Sequence, residues 1–169
     1  MPKTIPILLA ALLAASAAPA QEAAPGAQEF EISYSNTTFE LSRMDMGNGQ
    51  WAFLAESFLP LHAATEGPLA GLGGHCLYTG VAREGIGAVQ ASGTCIFQDA
   101  GGDQLWLGWD GLYDGTSDFA GQGSWTGGTG RFEGDSGETS FALTWVASPR
   151  EGVNQLTGIR RGTLVLPAS

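Results

Sequence analysis

Lysine is all but missing from this chain: it occurs once, as Lys3, and six arginines supply the rest of the basic charge against seventeen aspartates and glutamates. A formal net charge of −10 at pH 7 leaves no basic patch to displace counterions from a phosphate backbone, which excludes nucleic acid as a partner. An anionic membrane surface is disfavoured for the same reason. Histidine is nearly as scarce. His62 and His75 are the two in the sequence, neither stands beside a Ser or Cys in a nucleophile motif, and both read as surface or packed residues rather than general bases. Cysteine is limited to Cys76 and Cys95, which lack Cys-x-x-Cys metal spacing even with a histidine added. Beyond the first residues no segment carries a helical period, and no apolar run reaches the roughly 20 residues of a membrane-spanning helix. No metal, cofactor or catalytic constellation is legible.

What the N-terminus does have is a leader pattern. Lys3 supplies a positive charge, Ile5 to Ala15 is apolar apart from Pro6, and Ala18-Pro19-Ala20 offers a small-x-small cleavage site before Gln21. Residues 1–20 are therefore expected to be a secretory signal peptide, residues 21–28 a flexible lead-in and residues 29–169 one domain, long enough to bury a real core. Arg in place of Lys, with abundant Ala and Gly, suggests a GC-rich bacterial genome, and hence a periplasmic or secreted protein. In that oxidising setting Cys76 and Cys95, on neighbouring expected strands, pair as a disulfide by default.

The rest of the chain alternates with period 2. Phe30 to Tyr34, Trp51 to Phe58, His75 to Thr79, Val89 to Gln98, Leu105 to Trp109, Phe119 to Trp125, Phe141 to Trp145 and Gln155 to Leu166 each read as strands. Gly, Asn and Asp clusters between them mark turns. About eight strands at the 8 to 12 residue spacing of sandwiches and barrels predict an all-β fold, an antiparallel β-barrel of about eight strands. Closure into a barrel removes the exposed edges. Its interior would be just wide enough to fill with side chains or to hold one small ligand.

Seven glycines fall between Gly121 and Gly137. A Gly-rich loop can cradle phosphate, but that needs a helix N-terminus after the loop and usually a Lys; here an alternating strand follows, and Glu133 and Asp135 would repel an anion. Gly127-Gly-Thr-Gly-Arg-Phe-Glu-Gly-Asp-Ser-Gly137 resembles the Gly-Gly-Thr-Gly-x-Phe-x-Gly-x-x-Gly stretch of the allene oxide cyclase and dirigent-protein barrel superfamily. The likeness extends loosely from Gly93 to Leu166 and does not reach residues 21–87. It implies a barrel with a structural turn at the motif and carries no functional residue across. In those families the barrel steers a reactive intermediate by shape, often with an acidic side chain inside, which makes Glu56, Asp110 and Glu138 candidates for that part.

Five tryptophans are the remaining signal. Trp109, Trp125 and Trp145, with Leu107 and Leu143, are expected to face inward, either as core or as the apolar wall of a small-molecule pocket, with Gly123 leaving space opposite the indoles. The Asp residues 99, 103, 110, 114, 118 and 135 only superficially resemble a calcium loop, since no Glu follows Asp103 until Glu133; solvated turns are the plainer reading. The expected protein binds a small apolar or aromatic ligand or a partner, with an isomerase or cyclase, or a purely structural barrel, as the alternatives.

Overall fold

The computed structural model describes residues 26–61, 67–113 and 118–166. Eight strands follow one another: β1 (Ala27–Gly47), β2 (Gln50–Pro60), β3 (Gly73–Arg83), β4 (Gly87–Gln98), β5 (Gln104–Tyr113), β6 (Asp118–Gly128), β7 (Gly137–Arg150) and β8 (Val153–Val165). Each is antiparallel to the next, and β8 closes on β1 from Ala27↔Val165 to Phe39↔Val153. The barrel foreseen from the alternation is the one that forms. β1 already starts at Ala27, so the last two residues assigned to the lead-in belong to the sheet. No helix among the described residues is long and apolar enough to cross a membrane.

The two ends of the barrel are built differently. At one end the connections are tight. Gly47, Asn48 and Gly49 all take positive φ, at 81°, 54° and 68°, which suits a short reversal between twisted strands. Glu84 to Ile86 and Glu151-Gly152 turn almost as sharply. The described residues at this end have little chain with which to cover it, and they leave an open mouth.

At the other end the described parts of the longer connections fold under the barrel and close it. Leu69 and Leu72 from the β2–β3 segment are buried there, and so is Phe132, from a single 3-10 turn at Gly130–Phe132. Arg131 ties the loops together. Its Nε donates to Asp99 Oδ2 at 2.9 Å, its Nη1 to the Pro68 carbonyl at 3.3 Å and its backbone N–H to Asp103 Oδ2 at 3.1 Å. Its guanidinium also covers the Phe132 ring, 4.1 Å from the centroid. The motif Gly127–Gly137 is thus a basal plug. Gly130, at φ +58°, has no room for a Cβ beside the Asp103 carboxylate. Asp99 and Asp103, expected to be solvated turn residues, bind these loops together instead.

Above the plug, the inward positions of the lower barrel interlock. Ile32, Phe97, Leu105, Leu107, Trp125 and Leu164 are all buried in one cluster, and the Phe97 and Trp125 rings meet edge to face at 5.7 Å. Each such side chain contributes about 1.5 to 3 kcal/mol on burial. Gly123 does not leave a void there. A Cβ on it would meet the Gly108 carbonyl at 2.7 Å and Leu107 Cδ1 at 3.0 Å, so the space expected opposite the indoles is already filled by close strand packing.

Candidate functional site

The upper half of the barrel is not filled. A cavity of about 770 Å³ runs from the mouth down to Tyr34, Leu59 and Arg160. Its walls follow from strand parity, since alternate residues of each strand face inward. β1 supplies Tyr34, Asn36 and Thr38, β2 supplies Phe53, Ala55 and Ser57, and β3 supplies Cys76 and Tyr78. Trp109, Phe141, Leu143 and Leu156 complete the far side. The aromatic rings brace one another: Trp109 lies 5.4 Å from Tyr78 and 5.7 Å from Phe141, the latter at 90°. Cys76 and Cys95 form the expected disulfide, with Cα atoms 4.0 Å apart on β3 and β4, and both line this wall.

The ligand-binding candidates divide between two levels. Trp109 and Leu143 line the cavity, and Trp145 stands at its rim, 58 % exposed. Trp125 and Leu107 lie in the packed layer below and are not part of the wall. The acidic candidates are not inside at all. Asp110 and Glu138 are exposed, and Glu138 accepts a hydrogen bond from Ser124 Oγ at 2.9 Å. Glu56 alternates with the buried Ala55 and Ser57 and pairs with His75 Nε2 at 3.1 Å on the outer face, where His75 stacks on Phe58. His62 and Asp114 lie outside the described residues.

Sequence reasoning overlooked the floor. Arg160 is only 3 % exposed, and Nη1 of its guanidinium has no hydrogen-bond partner. Two rings flank it: its Cζ lies 4.9 Å from the Phe141 centroid and 5.8 Å from that of Tyr34. Burial lowers the arginine pKa, and attraction to Tyr34 partly opposes that. Burial also raises the Tyr34 pKa, and Arg160 pulls it back in part. Part of that pull is a guanidinium–phenol contact that falls short of full hydrogen-bond geometry, so Tyr34 Oη, like Arg160 Nη1, has no well-formed partner. Asn36 Oδ1 and Trp109 Nε1 complete a set of unsatisfied polar atoms on lining residues. Tyr78, by contrast, is pushed up to about 12 by burial, offset in part by hydrogen bonding to Thr38.

The rim carries most of the cavity's charged residues, Glu40, Arg43, Arg83, Arg150 and Glu151. Arg43 grips Glu40 through Nε and Nη2 at 2.8 and 3.1 Å and covers the Trp51 ring at 4.3 Å. Among the described residues, Glu40 and Glu151, both at this end, are the carboxylates that line the cavity. About 20 Å of β8 separates Val153 at the mouth from Arg160 at the floor, too far for either carboxylate to neutralise the guanidinium directly.

A closed eight-stranded barrel, plugged at one end and hollow at the other, defines a dirigent-like fold. The structure of a pterocarpan synthase dirigent protein superposes with a TM-score of 0.53 over 87 % of this chain and 99 % of that one, at 11 % identity. At that identity the likeness is one of fold. No protein-family model and no curated protein sequence matches the chain.

Proposed function

We propose that the protein is an exported binding barrel that takes one small, largely aromatic or apolar molecule through its open mouth into the upper cavity. The observation that carries this is the half-filled interior: the lower barrel is occupied by a cluster of buried side chains, while about 770 Å³ above it stays open between Phe53, Tyr78, Trp109, Phe141 and Leu143. Evenly packed barrels do not leave such a space, and its size and lining are those of small-molecule sites. The isomerase or cyclase alternative is less well supported, because the acids that would take part, Glu56, Asp110 and Glu138, lie on the outer face.

The test is a titration of the purified, leaderless protein with the uncharged fluorophore N-phenyl-1-naphthylamine. Saturable binding near one to one with a change in Trp emission is the expected result, and no saturable binding by folded protein would overturn the proposal. Export is supported by the leader pattern and by the buried disulfide. N-terminal sequencing of the exported material should begin at Gln21; a chain that keeps Met1 would refute the cleavage.

A further inference from the structure

Arginine cannot shed its proton at ordinary pH. A guanidinium buried without a counter-ion is therefore a standing electrostatic demand. Phe141 and Tyr34 meet that demand in part through cation–π contacts. Such contacts occupy the face of the guanidinium, whereas its N–H donors point outward in its plane, and Nη1 is left over. Tyr34 Oη–H beside it and Trp109 Nε1–H on the same wall are further donors without a well-formed hydrogen bond, against one such acceptor, Asn36 Oδ1. The lining carboxylates sit at the rim, where Glu40 is already held by Arg43. The cavity floor is thus positive and rich in donors beneath apolar walls.

Resting on the binding reading above, we propose that the cavity selects ligands with one carboxylate, or a comparably compact anionic oxygen group, inserted head-first so that the anion meets Arg160 and Tyr34. The apolar body of the ligand then lies against Trp109, Phe141 and Leu143. A carboxylate accepts from a planar guanidinium in charge-assisted hydrogen bonds that a neutral alcohol cannot match. An amine at the same place would be repelled.

Three matched probes separate the possibilities: 2-naphthoate, 2-naphthylmethanol and 2-naphthylmethylamine, each titrated by Trp fluorescence into the wild type, Arg160→Met, Arg83→Met and Arg150→Met. The wild type should prefer the acid to the alcohol by about tenfold or more, with the amine weakest. Arg160→Met should bring the acid down to the alcohol's affinity and change the alcohol by less than about threefold. Equal binding of acid and alcohol by the wild type would overturn the head-group assignment and leave the binding barrel standing. An acid preference that survives Arg160→Met but is lost in Arg83→Met would move the anion to the rim and overturn it too. Failure of all three probes, together with the neutral fluorophore, would overturn both. If Arg160→Met does not fold, the rim variants decide: an acid preference kept in Arg83→Met and in Arg150→Met supports the floor, and one lost in either overturns it.

Discussion

A lone buried guanidinium makes opposite demands on stability and on binding. Without a ligand, the Phe141 and Tyr34 rings offset the desolvation of Arg160 only in part, so Arg160→Met, close in volume and free of charge, should stabilise the empty protein by about 1 to 3 kcal/mol. Urea unfolding at pH 7 would show this, and an equal loss would mean that the Phe141 and Tyr34 contacts already satisfy the charge. Arg160 was within reach of the sequence. It shares parity with Leu156 and Leu164, which face the interior, so in the pair Arg160-Arg161 one arginine had to point inward. Tyr34, Asn36 and Thr38 share the inward parity of Ile32 in the same way. Attention to motifs passed them over, because parity places a side chain on a face without showing whether that face is packed or hollow.

At the scale of the element, the basal plug holds carboxylates of contrary behaviour. Asp135 is buried with both carboxylate oxygens unpartnered, and burial raises its pKa, which the charge of Arg131 only partly counters. Its folded form therefore takes up a proton more readily than its unfolded form, and stability is lost as pH rises past the ordinary aspartate range toward the raised value. Asp135→Asn should raise stability at pH 7 by about 1 to 3 kcal/mol, with the gain shrinking in acid; thermal melts at pH 7 and pH 4 would check it. Asp99 goes the other way. Burial would raise its pKa, but hydrogen bonds from Arg131 and from the Asp103 and Gly101 backbones outweigh burial and hold the carboxyl below its ordinary value. Its contribution is present at neutral pH and is lost as pH falls through that lowered value. Arg131→Ala should accordingly lower the urea midpoint at pH 7 and do so less at pH 2.5; an equal loss at both would place Arg131's role in its packing on Phe132. The glycine pattern revealed a turn at this motif, but not that the turn folds under the barrel to seal it, since that depends on Asp99 and Pro68 from two other loops.

For the whole molecule, strand alternation and turn chemistry carried most of the fold. Inward and outward faces follow from period 2, which is why the ring of eight strands could be read from the chain, while the Cys76–Cys95 pairing was read from strand adjacency in a chain with an export leader. Which half of the barrel is filled could not, because it rests on the sum of side-chain volumes across eight strands and on which loops close which end. Trp125 and Trp145 show the difference: equal in parity, they lie in the packed base and at the open rim. The disulfide spans the cavity wall, and Cys76→Ser with Cys95→Ser should cost about 3 kcal/mol by removing a constraint on the unfolded chain, as measured by urea unfolding against the oxidised wild type.

The hollow upper barrel is tested most directly by titrating N-phenyl-1-naphthylamine in parallel into the wild type and Ala55→Trp. Ala55 is buried, lines the cavity and lies across from Tyr78. An indole there would occupy the space between the aromatic walls. The account predicts saturable binding near one to one by the wild type and at least a tenfold weakening in Ala55→Trp, with the variant still folded by circular dichroism. Binding that is unchanged in the folded variant would put the fluorophore elsewhere on the surface and contradict the cavity as the site.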